Sequence, residues 1–143
     1  MKYELVKSSN KDIDKLISYK KNIIFKYAND LSIEEINEID KYSKDEVNNH
    51  LNDYYNIIVD NKMIGSLVYY SHDDGLLLDE IYIEESYRNL GIATSIINDI
   101  TSKNNIVYLW VYKDNNKAVE LYKRLGFIII DSSETRYYMK HII

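Results

Sequence analysis

A chain of 143 residues with a formal net charge of −5 and no cysteine is long enough for one domain that buries roughly two-thirds of its unfolded surface. The missing cysteine removes disulfides, zinc–thiolate sites, Fe–S clusters and a thiol nucleophile. The negative charge disfavours broad nucleic-acid binding, which needs a basic face, and suits an amine-bearing partner better.

Met1 to Lys7 alternates polar with apolar residues and has no continuous apolar h-region. No window approaches the run of about 18 apolar residues that a membrane span requires. The expectation is a cytoplasmic protein of one domain, residues 1–143, without a membrane partner.

Tyr3 to Lys7 reads as a strand by its alternation. Ile13, Leu16, Ile17, Ile24 and Tyr27 then recur at helical spacing. Ser32 followed by Glu35 has the form of a capping box, opening a second helix that carries Ile33, Ile36, Ile39, Val47 and Leu51. Tyr55 to Val59 and Met63 to Tyr70 flank the turn Asp60-Asn61-Lys62 as a hairpin, and a turn at His72 to Gly75 leads into a strand over Leu76 to Glu84.

After the loop at Arg88, a helix presents Ala93, Ile96, Ile97 and Ile100 on one face. Ile106 to Tyr112 is the most apolar strand and reads as central. Asp114, Asn115 and Asn116 are candidate N-caps for a helix bearing Ala118, Leu121, Tyr122 and Leu125, with Gly126 at the left-handed position that ends it. Strands over Phe127 to Ile130 and Thr135 to His141 close the chain. The order implies an α/β (α+β) domain: a mixed, mostly antiparallel sheet of about seven strands with four helices.

The junction from Tyr82 to Ile97 carries the most chemistry. A loop that enters a helix with unpaired amides is an anion site, because the first N–H groups and the helix dipole both favour negative charge. Gly91 permits close backbone approach, Ala93 keeps the helix start uncrowded, Asn89 tolerates a positive φ, and Arg88 adds a permanent forked cation. The stretch lacks the second glycine and Gly-Lys-Ser/Thr ending of a Walker loop, and the three glycines of a dinucleotide fingerprint.

Ile81-Tyr82-Ile83 followed by Tyr87-Arg88-Asn89-Leu90-Gly91-Ile92-Ala93 resembles the Arg/Gln-x-x-Gly-x-Gly/Ala motif of the GNAT family of N-acetyltransferases. Asn115 to Phe127 resembles that family's Asn-x-x-Ala-x-x-x-Tyr-x-x-x-Gly-Phe signature. The family often has Gly-Lys or Gly-Gln after the arginine, where this chain has Asn89-Leu90. The resemblance implies direct transfer of an acetyl group from acetyl-CoA to an amine, in a cleft where the fourth and fifth strands splay apart. It implies that Ile81, Tyr82, Ile83, the loop and helix start from Arg88 through Thr94, Asn115 and Tyr122 contact the cofactor, the Ile83 amide serving as an oxyanion donor.

Tyr122 matches the family's general acid, and a phenol of pKa near 10 holds a proton to give a departing thiolate. An alkyl amine of pKa about 10.4 must lose a proton before attack, which calls for a base. Glu80 is the choice, a solvated edge carboxylate being the alternative. By alternation Glu80 and Tyr82 share one sheet face and Asp79, Ile81 and Ile83 the other, unless a bulge intervenes. The acidic run Asp73, Asp74, Asp79, Glu80, Glu84 and Glu85 could line an amine-binding mouth. His50, His72 and His141 lack metal-ligand spacing and read as surface or turn residues, so no metal is called.

The expected acceptor is a small-molecule amine: a polyamine, an aminoglycoside-like compound or an amino-acid derivative. Alternatives are a protein N-terminus or lysine as acceptor, or a non-catalytic acyl-CoA sensor. Exposed strand edges near the C-terminus leave room for a homodimer. Residues Asn29 to Asp53, which would set the width of the acceptor cleft, carry no readable motif.

Overall fold

The computed structural model describes residues 2–143. Strand β1 (Glu4–Lys7) leads through a short 3-10 turn to α1 (Ile13–Tyr27) and α2 (Ile33–His50). The hairpin strands β2 (Tyr54–Val59) and β3 (Lys62–His72) and then β4 (Gly75–Ile83) follow. Next come α3 (Ile92–Lys103), β5 (Ile106–Tyr112), α4 (Asn116–Arg124), β6 (Ile128–Ser132) and β7 (Arg136–Ile142). The seven strands form one sheet in the order β1-β2-β3-β4-β5-β7-β6. Every neighbouring pair is antiparallel except β4 and β5. The mixed α/β reading of seven strands and four helices therefore holds.

Local chemistry fixes the helix ends as expected. The Ser32 hydroxyl accepts the Glu35 amide while the Glu35 carboxylate accepts the Ser32 amide, a reciprocal capping box. Gly126, at φ 98, ends α4 in the left-handed region, and a Cβ there would sit 3.2 Å from the His141 ring. His141 is thus a packing residue: its ring lies 5.3 Å from that of Phe127 and its Nδ1 is buried, which corrects its reading as a surface side chain.

The sheet is sandwiched. On one face Leu78, Leu109 and Phe127 pack against Ile96 and Ile97 of α3 and Val119 of α4. On the other, Leu16 of α1 and Val47 of α2 pack against Tyr54 and Val68. Burying such side chains contributes about 1.5–3 kcal/mol each, so both helical layers are held to the sheet by apolar area.

The expected splay has a visible cause. The parallel ladder of β4 and β5 pairs only Leu76, Leu77 and Leu78 with Val107, Tyr108 and Leu109. Against β3, Val68 faces Glu80 while Tyr69 faces Leu78, so Asp79 is an extra residue on β4. A bulge of this kind bends and twists its strand, and from Asp79 onward β4 leaves β5. Asp79 consequently points to the same face as Glu80: its carboxylate accepts the Tyr70 hydroxyl at 3.2 Å, and Tyr70 packs in the α1/α2 layer. Simple alternation had put Asp79 with Ile81 and Ile83.

Candidate active site

The gap opened by the splay is floored by α3 and α4 and roofed by α1. Tyr19 stacks on Tyr82 of β4 with ring centres 4.6 Å apart, and Tyr27 stacks on Tyr112 of β5 at 5.0 Å. Eight helical residues separate the two contacts, a rise of about 12 Å along α1. The roof thus touches both strands beyond Leu78 and Leu109, where their ladder ends. The resulting cleft has a volume of about 1320 Å³.

Backbone direction makes the gap chemically specific. The Glu84 amide donates to Ile64 of β3 at 2.7 Å. Because successive strand residues point their N–H and C=O groups to opposite edges, the amides of Ile83 and Ile81 face away from β3, into the gap. Ile83 accordingly has its carbonyl free to accept the Arg88 Nε at 2.7 Å. Arg88 also lies over the Tyr82 ring, 5.3 Å from its centre, so its side chain lashes the loop to the end of β4.

Beyond Arg88 the chain reverses with Asn89 at φ 62 and Gly91 at φ 83. The first helical bond of α3 runs from the Ser95 amide to the Gly91 carbonyl at 3.0 Å. The amides of Ile92, Ala93 and Thr94 therefore have no acceptor within the helix. They open onto the cleft, which Gly91, Ile92, Ala93 and Thr94 help to line. Leu90 lies outside the lining and is 44% exposed.

Helix α4 brings the second group of residues. Asn115 caps it, accepting the Ala118 amide at 3.3 Å, while its own amide bonds to Tyr112 at 3.0 Å. The cap joins the end of β5 to α4 and aims Tyr122 back into the cleft. Tyr122 packs against Phe127, and its phenol is pushed up to about 12, by burial first and then by Tyr27 across the gap.

A model of the Acetyltransferase (GNAT) family matches residues 22–127. The chain belongs to this family. A 55-residue stretch is 42% identical to an uncharacterized N-acetyltransferase of Methanocaldococcus jannaschii, covering 35% of this chain and 24% of that relative. The PaiA N-acetyltransferase of Thermoplasma acidophilum, solved in complex with coenzyme A, superposes over 100% of both chains at TM-score 0.79 and 21% identity. Ard1 of Thermoplasma volcanium superposes over 100% of this chain and 99% of its own at TM-score 0.71 and 18% identity. At these identities the two likenesses are likenesses of fold.

Within the GNAT frame, Glu80 stands on the α1/α2 side of the cleft and is buried, so it is not a solvated edge carboxylate. Its Oε1 accepts Lys20 Nζ at 3.0 Å, both side chains being 7% exposed, and its Oε2 is buried without a protein partner. Burial raises the Glu80 carboxyl above its usual range, with Lys20 pulling the other way. The rest of the acidic run disperses. Asp74 accepts the Tyr108 hydroxyl, Glu84 accepts the Tyr19 hydroxyl, and only Asp79 and Glu80 line the cleft.

Several lining residues carried no signal in the sequence, among them Lys20, Tyr27 and Tyr42 of the two N-terminal helices and Trp110 and Arg136 of the C-terminal strands. Each sits in an ordinary amphipathic helix or alternating strand, and only the bend of β4 gathers them. No helix of the described residues is long and apolar enough to cross a membrane.

Proposed function

We propose that this chain transfers the acetyl group of acetyl-CoA to the primary amine of a small molecule. The observation that carries the reading is the line of unpaired donors along one cleft. The amides of Ile81 and Ile83 face the gap, the first amides of α3 continue it, and Tyr122 stands on its floor.

These groups fit the cofactor's parts. An amide-bearing arm is complementary to the open edge of β4, as a missing strand would be. A pyrophosphate is complementary to the amides of Ile92, Ala93 and Thr94, with Arg88 and Asn89 shaping the loop and Gly91 leaving the approach clear. Asn115 offers its amide group beside α4, and Leu90 contributes through backbone alone. When bound, acetyl-CoA supplies an electrophilic carbonyl carbon and a thiolate leaving group.

The side chains divide the proton work. The Ile83 amide, which faces the gap, donates to the carbonyl oxygen as charge develops there. Tyr122, with its phenol near 12, keeps its proton at neutral pH and can hand it to the departing sulfur. Glu80, raised by burial and with Oε2 free, takes the proton that the ammonium must lose. A carbon–nitrogen bond forms as the carbon–sulfur bond breaks.

The test is amine-dependent CoA release from acetyl-CoA across a panel of small amines, run beside thermal unfolding with and without acetyl-CoA. Protection together with amine-dependent release is expected. A protein that neither gains thermal stability from acetyl-CoA nor releases CoA with any amine does not have this function.

A further inference from the structure

All three arginines of the chain border the cleft, Arg88, Arg124 and Arg136, yet they stand in different places. Arg88 belongs to the loop before α3, its guanidinium held over Tyr82 at the end of β4, and Arg124 belongs to α4 on the floor. Arg136 opens β7 and lies on the opposite sheet face, where its guanidinium sits 4.9 Å from the centre of the Trp110 ring and 6.0 Å from that of Tyr112. Trp110 in turn stacks on Tyr138 at 4.5 Å, so the shelf beneath the guanidinium is itself braced.

Among the described residues the Arg136 side chain makes no ion pair or hydrogen bond; only its backbone is engaged, with Ser133. A guanidinium resting on aromatic rings and without a hydrogen-bond partner keeps its N–H donors available, in the fork geometry that matches a carboxylate. Tyr42 of α2, with Lys20 5.8 Å from the centre of its ring, lines the same cleft as Arg136. On that same face Glu80 presents a buried oxygen without a partner, with Asp79 beside it.

The space is therefore bipolar. One end offers a free carboxylate oxygen and the other a free guanidinium. The aromatic faces that would otherwise attract a cation are already taken, Trp110 and Tyr112 by Arg136 and Tyr42 by Lys20 at 5.8 Å. A polycation would meet Arg136 as a like charge. A molecule with an ammonium at one end and an anion at the other satisfies both poles.

We infer that the acceptor is a primary amine carrying its own carboxylate, an amino acid or an acidic peptide end, and that Arg136 on its Trp110–Tyr112 shelf is the residue that selects it. This rests on the acetyltransferase reading of the same cleft. Arg136 stands on the other sheet face from the amides at the start of α3, so its role is separable from cofactor binding.

The chain contains a single tryptophan, which makes Trp110 fluorescence a direct report on the shelf. The protein saturated with CoA is titrated with N-acetylated amino acids and with their C-terminal amides, and CoA release from acetyl-CoA is compared for amino acids, their amides, peptides beginning with an acidic residue, and 2-aminoethyl phosphate. A single good fork is expected to favour the carboxylate over the amide by about tenfold or more in both affinity and kcat/KM. Arg136→Ala should erase that preference and Arg136→Lys keep part of it, with thermal protection by acetyl-CoA unchanged in both. Preference among the first three arms tells a free amino acid from a peptide end, and preference for the phosphate ester over every carboxylate overturns the carboxylate assignment. Turnover of acid and amide alike, or an Arg136→Ala protein that still favours the acid, refutes this inference and leaves the acetyltransferase reading standing. Failure to take up acetyl-CoA at all removes both.

Discussion

The two sides of the cleft are built from different materials. The floor, from the end of β4 through α3 and α4, presents backbone: outward amides at Ile81 and Ile83, the open start of α3, and a cap at Asn115. The roof, from α1 and α2 with β7, presents side chains: the Lys20–Glu80 pair, Tyr42, and Arg136 on Trp110. Backbone donors impose strict demands on sequence, since a positive φ at Asn89 and Gly91 admits few residue types. Side chains on a regular helix impose almost none. A floor of this kind suits a part common to many reactions, and the roof is free to change with what is acetylated.

The sharpest way to break that division is to damage the roof and watch the floor. Lys20 and Glu80 are both buried, so removing one partner strands the other charge, at a cost of about 3–5 kcal/mol. Lys20→Met should lower the thermal midpoint by about 10 °C or more, and Lys20→Met with Glu80→Leu should recover most of the loss. Acetyl-CoA should still raise the midpoint of the double variant, because no amide of the floor has changed. If protection vanishes with the pair, the two sides are not independent.

The converse experiment changes the floor alone. A Cβ on Gly91 meets nothing within 4 Å, so the cost of Gly91→Val comes from the left-handed φ, about 1–2 kcal/mol, while its side chain projects over the start of α3. Stability should fall modestly and protection by acetyl-CoA should disappear. Gly91→Asn, which tolerates this backbone region better, separates strain from obstruction: if it restores stability and also restores protection, obstruction by a side chain is not what matters there.

The same contrast decides what could be read from the chain in advance. The capping box at Ser32 and Glu35, the turn at Gly126, the four helices and the splay were all legible, since each follows from a local backbone requirement or from a resemblance carried by the floor's two motifs. The bulge at Asp79 was not, because nothing in Leu78-Asp79-Glu80 marks which residue will be extra; that is settled by pairing with Val68 and Tyr69 ten residues away. Misplacing Asp79 followed from it. Lys20 and Arg136 were equally silent, as the contacts that matter, to Glu80 and to Trp110, cross 60 residues and one sheet neighbour respectively.

Tyr122 lies where the two sides meet, on the floor yet pushed up partly by Tyr27 of the roof. Tyr122→Phe should slow turnover by one to two orders of magnitude, about 1.4–2.7 kcal/mol in the barrier, while leaving thermal protection by acetyl-CoA intact. A raised pKa keeps the phenol in its protonated form to higher pH. The rate should therefore climb as Glu80 and the amine lose protons and show no falling limb from Tyr122 below about pH 11. A decline centred near pH 8 or 9 that is absent from Tyr122→Phe would mean that its proton leaves far more easily than burial allows.

The smallest effect tests whether a floor residue can be structural and functional at once. Asn115 caps α4 through its side-chain oxygen, and losing an N-cap costs about 1 kcal/mol, so Asn115→Ala should lower the midpoint by a few degrees. Asn115→Asp keeps a capping oxygen and adds a negative charge that the start of α4 welcomes, so stability should be preserved. What it cannot preserve is tolerance for an anionic cofactor alongside. Protection by acetyl-CoA should weaken in Asn115→Asp although the fold does not. Equal protection in the two variants and the parent protein would make Asn115 a cap and nothing more.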